Sequence, residues 1–172
     1  MKKFTLLITL LLTAALLAGC AGFATVLPEL LELARHIKAK YGITMEKFKE
    51  QGIEVSSIQV KPKYVFGDAE KIIEFCKATE CKRVVISMLP FKCILGSEKQ
   101  FYTFISLLDN QFEIYEKNGI TLAYHHHNWE YITLSGGKTR MEELLERTQR
   151  IRFVHDTYWT AKCGLSPAEQ IR

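Results

Sequence analysis

Arg83-Val84-Val85-Ile86-Ser87-Met88-Leu89, the segment Ser97 to Tyr115, and Ile120-Thr121-Leu122-Ala123-Tyr124-His125 together decide the fold. The first is a continuous apolar run, the pattern of a strand covered on both faces. In the second, Ser97 and Gln100 stand at capping-box spacing. Phe101, Phe104, Ile105, Leu108, Phe112 and Tyr115 then share one helical face before Asn118-Gly119 stops it. The third piece is a strand again. A strand, a long helix and a second strand in this order give parallel strands joined by a right-handed crossover.

The same unit recurs on both sides. Ile53 to Val60 alternates as a strand does, and Pro62 forces the chain out of it. Asp68 stands at the start of a helix whose buried stripe is Ile72, Phe75, Cys76 and Thr79. Downstream, Thr139 and Glu142 form a second capping box, with Met141, Leu144, Leu145 and Thr148 facing inward. Ile151 to Asp156 is a further strand, and Ser166, Pro167 and Glu169 open another helix. Strands therefore begin near residues 53, 83, 120 and 151, each followed by a helix, which predicts an α/β fold of about four parallel βα units. A doubly wound sheet and a (β/α)8 barrel both fit that period. No Gly-x-Gly-x-x-Gly follows any strand, which counts against a dinucleotide fold.

The N-terminus is of another kind. Lys2 and Lys3 precede an apolar run from Phe4 to Leu17, and Leu17-Ala18-Gly19-Cys20 resembles a lipobox. Residues 1–19 are thus expected to be a lipoprotein signal peptide, with Cys20 lipidated and residues 20–172 exported. The lipid would hold the protein at a bacterial membrane surface without spanning it. A plain hydrophobic anchor is the alternative. Leu27 to Lys40 carries a helical stripe closed by Gly42, and Thr44 to Glu50 a short helix ending at Gly52. Cys76, Cys81, Cys93 and Cys163 match no zinc or redox spacing, and Cys76 is expected to be a small buried hydrophobe. At 172 residues the chain is long enough for one domain. The net charge of +4 is spread among acids, so no nucleic-acid partner is expected.

Polar and aromatic residues concentrate at two strand ends, Tyr124-His125-His126-His127-Asn128-Trp129-Glu130-Tyr131 and His155-Asp156-Thr157-Tyr158-Trp159. In parallel barrels the loops after the strands converge on one mouth. Imidazole and carboxylate from neighbouring strands can there share a divalent cation, since both donate lone pairs. Hydrogen-bonded loop histidines are the alternative reading of the same residues.

Gly119 to Tyr131 resembles the Gly-Ile-x-Leu-x-Tyr-His-Asn-His-x-x-Glu-Phe stretch of the sugar phosphate isomerase/epimerase family, the xylose-isomerase-like TIM barrels. Gly136-Gly137-Lys138-Thr139 before Leu144-Leu145 is similar to that family's next loop and helix. Asp156-Thr157-Tyr158-Trp159 resembles its next strand end, and Pro167 to Arg172 its Pro-x-x-x-Ile-Arg helix start. The likeness keeps order and spacing from about Tyr41 to Arg172. It implies a partial (β/α)8 barrel holding family strands three to six, with the signal and the Leu27–Lys40 helix standing where the first two strands would be. It also implies a divalent metal (Mn, Mg, Co or Zn) and a small carbohydrate substrate. By position His125 takes the first ligand place and Asp156 the second; a further histidine and glutamate would lie beyond Arg172.

Many family epimerases carry glutamate at the first place, where it also shuttles protons. Here His125 stands there, and inosose-dehydratase-like members show a similar Tyr-His-His-His stretch. The resemblance implies enolisation of a ketose or related polyol. His125 would be ligand and base, Glu130 a catalytic carboxylate, and His127 and Trp159 the walls against the sugar. The last helix begins at Ser166 and has one turn before Arg172, so a complementing second half or a homo-oligomer of half-barrels is expected. An inosose-dehydratase-like lyase, a non-catalytic membrane-tethered or sugar-binding remnant of the fold, and an interrupted gene product are the other readings.

Overall fold

A computed structural model describes residues 50–52 and 54–170 of the chain. The signal segment, Cys20, the Leu27–Lys40 stripe and Ile53 lie outside the described residues. The elements in order are β1 (Ile58–Val60), α1 (Pro62–Gly67), α2 (Ala69–Thr79), β2 (Arg83–Ile86), α3 (Phe91–Leu95) and α4 (Glu98–Glu116). They continue with β3 (Thr121–His125), a 3-10 turn (Asn128–Tyr131), α5 (Arg140–Arg147), β4 (Phe153–Val154), α6 (Thr157–Lys162) and α7 (Pro167–Gln170). All four strands are parallel and lie in the order β1-β2-β3-β4. Each strand sits beside its neighbour in sequence, with no reversal. A doubly wound sheet reverses at a switch point; a slice of barrel does not, and this sheet is such a slice.

Pairing places Ile58 beside Val84, Val60 beside Ile86, Val84 beside Leu122 and Ile86 beside Tyr124. Residues two apart on a strand share a face, so these side chains form one surface, and all of them are buried. Against that surface lies α4, whose buried residues include all six of the stripe expected from the sequence. Phe104 meets the Tyr124 ring at 6.4 Å and the Phe66 ring at 5.6 Å. Two polar groups of α4 reach into the same core, where Gln111 Nε2 (2.5 Å) and Tyr115 Oη (3.3 Å) donate to the Val65 carbonyl near the end of α1. Val85 and Ala123, on the opposite face of the sheet, are also buried. The central strands are thus covered on both sides.

Several local expectations are corrected. β1 begins at Ile58 and β4 has two residues, because the flanking residues find no ladder partner. Thr139 and Glu142 form their box in full, with Thr139 N at 2.6 Å and Oγ1 at 2.8 Å from Glu142 Oε2, and Glu142 N at 3.2 Å from Thr139 Oγ1. Ser97 makes no side-chain cap; its carbonyl accepts from Gln100 N at 2.9 Å. The Asp68 carboxylate takes Lys71 at 2.9 Å rather than capping α2. Leu145 is 56% exposed, because the eight-residue α5 touches the core through a narrow stripe holding Met141 and Leu144. Among the described residues no helix is long and apolar enough to cross a membrane.

Candidate functional site

The C-terminal ends of β3 and β4 lie side by side on one rim. Tyr124 faces the helices, so strand alternation turns His125 to the other face. There His125 Nδ1 meets the Ser87 carbonyl just past β2 at 3.2 Å, and Nε2 meets Asp156 Oδ2 at 2.8 Å. Asp156 is the N-cap of α6: its Oδ1 accepts from Tyr158 N (2.9 Å) and Trp159 N (3.1 Å). One carboxylate oxygen is spent on the helix, and the other is left for His125. Partial burial pushes the Asp156 carboxyl upward, but the His125 contact and the two backbone N–H groups outweigh it, and the group ionises below its ordinary range.

His125 stands between two acceptors. A carbonyl only accepts, so Nδ1 carries the hydrogen. Nε2 then faces a carboxylate, and the contact is satisfied either by a second ring proton or by a cation held between nitrogen and oxygen. A ligating histidine that donates its other N–H to a backbone carbonyl is the usual arrangement around protein-bound metals. Together the two side chains would supply one nitrogen and one oxygen to such an ion. Among the described residues no group of three or more His, Cys, Asp or Glu side chains could hold a metal ion.

His127 and Trp159, expected to line a sugar, do gather beside this pair. The His127 ring lies 4.7 Å from that of His125, 5.3 Å from Trp129 in a stacked pose and 5.2 Å from Trp159. Burial, then the neighbouring His125, pushes the His127 pKa down to about 4; its ring is neutral at physiological pH. Trp159 remains half-buried, with Lys162 Nζ 4.7 Å from its ring centre. It is Trp159, more than the enclosed His127, that faces the outside.

Glu130 lies in the 3-10 turn after β3. It is fully buried, with Oε1 accepting from the Tyr124 hydroxyl and Oε2 from His127 N at 2.8 Å. Burial raises its pKa against the pull of those hydrogen bonds. Both oxygens are hydrogen-bonded, one to a β3 side chain and one to the turn after β3, and His125 is near enough to favour the ionised carboxylate.

His126 received no role from the sequence, yet it connects the two strand ends. Fully buried, it accepts the Asp156 backbone N–H at Nε2 (2.9 Å), while Nδ1 approaches the His127 carbonyl at 3.4 Å. Burial lowers its pKa, and the neutral ring is what accepting that N–H requires. Thr160 adds a second tie, donating to the Asp156 carbonyl (2.9 Å) and meeting Tyr131 Oη (3.0 Å). Strand alternation was the available signal, since it sends His126 to the face opposite His125.

The loop that follows is anchored too. Thr133 bridges Thr139, Gly137 turns at φ 86°, and the Ser135 N–H (2.7 Å) and hydroxyl (2.6 Å) both donate to Glu98 at the start of α4.

No protein-family profile matches the sequence, and no curated protein does. The structure is similar to the 1.70 Å crystal structure of a sugar phosphate isomerase/epimerase from Parabacteroides distasonis, with a TM-score of 0.63 and 20% identity. The match covers 75% of this chain and 52% of that one, so the chain spans about half the length of its structural neighbour. At this identity the likeness establishes the fold, an α/β structure consistent with part of a TIM barrel.

Proposed function

We propose that His125 and Asp156 hold a divalent cation (Mn, Mg, Co or Zn) and that the chain forms part of a sugar or sugar-phosphate isomerase/epimerase acting on a small carbohydrate. One observation carries this reading: the 2.8 Å approach of His125 Nε2 to Asp156 Oδ2, with the second nitrogen and second oxygen already engaged. Once bound, such a cation supplies Lewis-acid polarisation of a ketose carbonyl, easing loss of the neighbouring proton. The chain's own residues do the rest of the work assigned here. Ser87 orients the imidazole, the α6 N–H groups keep Asp156 ionised, and His126 fixes its main chain. Trp159 offers a flat wall to the C–H face of a sugar, with His127 behind it. Glu130 and Tyr124 hold the turn after β3. The base and the remaining ligands come from outside the described residues, in this chain, a second copy or a complementing chain.

A binding protein without turnover is the second reading, favoured by the two-donor site among the described residues. On either reading residues 1–19 direct export and Cys20 carries the lipid, which metabolic labelling with a fatty acid would detect.

Equilibrium dialysis of the full chain against Mn2+ tests the site. Binding should weaken by tenfold or more in both His125→Ala and Asp156→Ala and stay unchanged in His155→Ala. Full retention in the first two variants would remove the assignment. Incorporation of solvent deuterium next to a ketose carbonyl then separates turnover from binding.

A further inference from the structure

The elbow between α2 and β2 brings two thiols together. α2 ends on Glu80, whose backbone is left-handed (φ 56°, ψ 17°) and whose N–H returns to the Lys77 carbonyl. In a helix end of this kind, the side chain four residues before the left-handed position frequently packs against the one just after it, and here the two do act on one another. Those two side chains are Cys76 and Cys81. Both are 1% exposed and both are free thiols. Cys81 Sγ donates to the Arg83 carbonyl at 3.2 Å, which holds it on the inside of the elbow. Burial pushes the Cys76 thiol up to about 12, with the adjacent Cys81 thiol adding to the effect. The other two thiols among the described residues are engaged elsewhere: Cys93 Sγ lies 3.5 Å from the Gln100 carbonyl, and Cys163 Sγ 4.0 Å from that of Asn128.

We propose that Cys76 and Cys81 are a disulfide-forming pair whose bond pins the left-handed elbow leading into β2. The oxidant is a small-molecule disulfide such as oxidised glutathione. One protein thiolate attacks it, releasing one thiol and leaving a mixed disulfide; the second protein thiolate attacks that sulfur, closing the S–S bond and releasing the second thiol. Two electrons and two protons leave the protein, and the oxidant becomes two thiols. Because both sulfurs are shut away from solvent in the folded chain, an oxidant reaches them only before the elbow is sealed, and closure belongs to folding. Glutamate is an unusual occupant of left-handed backbone, and a covalent link across it offsets the tendency to unwind.

Refolding the full chain in a glutathione redox mixture, followed by alkylation and tryptic digestion without reductant, tests this. Lys77 lies between the two cysteines, so cleavage leaves two peptides joined only by the bond. The expected product is that joined pair, lighter by two hydrogens, with Cys93 and Cys163 alkylated. Alkylated Cys76 and Cys81, or either one joined to another cysteine, would overturn the proposal. As a second measurement, reductant should lower the thermal midpoint of the oxidised protein by about 5 °C and leave a Cys76→Ser/Cys81→Ser variant unmoved. An unmoved midpoint in the native chain would overturn the claim that the bond pins the elbow.

Discussion

β2 and β3 are neighbours in one sheet, and their ends at the same rim are built from opposite materials. Past β2 the chain continues as Ser87, Met88 and Leu89, at 8%, 6% and 0% exposure; it is packed, and it offers the rim one carbonyl. Past β3 the chain continues as His126 and His127, which are just as enclosed, but the His126 ring accepts the Asp156 N–H just past β4 and approaches the His127 carbonyl. Equal burial therefore conceals two kinds of order. Apolar contacts hold one end. Directional bonds aim a His–Asp pair at the other.

The sharpest way to break the comparison is at Leu89. Leu89→Ala should cost about 2–5 kcal/mol of stability, as other buried leucines do, and leave Mn2+ affinity per folded molecule unchanged. Urea unfolding alongside dialysis measures both, and a large loss of affinity would show the two ends to be one unit. Next is acid. The folded His127 ionises near 4, below its unfolded value near 6.5. Its contribution is therefore complete above about pH 6.5 and is lost as pH falls towards 4, amounting to about 3 kcal/mol. His127→Gln should flatten the dependence of the urea midpoint across that window; a profile parallel to the native one would discard the idea.

Smaller again is Asp156→Asn, which keeps the α6 cap acceptor and removes the charge. Mn2+ binding should weaken roughly tenfold to a hundredfold, on the scale of lost metal-site partners, while the unfolding midpoint moves little. The smallest effect is at the α5 cap, where Thr139→Ala should cost about 1 kcal/mol without touching either end of the comparison. A change in Mn2+ affinity there would mean that α5 bears on the site.

The long elements could be read from the chain because their signals are redundant. Six aromatic and aliphatic side chains on α4 agree on one face, and the apolar run of β2 stays buried along its length from Val84 to Ile86. Short elements lack that redundancy. β4 exists only because Tyr124 and His125 supply its ladder partners, and no property of Phe153 or Val154 alone sets its length. Within the site, His125 and Asp156 were recognisable by position at strand ends. Glu130 is held by the Tyr124 hydroxyl and the His127 N–H, a turn geometry that residue spacing does not encode. Leu145 lies one step around the helix from Leu144, and only the width of the contact separates the inside from the outside.

The two Ser135 bonds to Glu98 bear on how a small molecule would enter. They tie the segment behind β3 to the first turn of the longest helix described. On the proposed reading, a small molecule that reaches His125 over α6 meets the half-buried Trp159 indole. Bulk added on α6 should slow arrival and departure together, whereas bulk added at Ser135 should do neither.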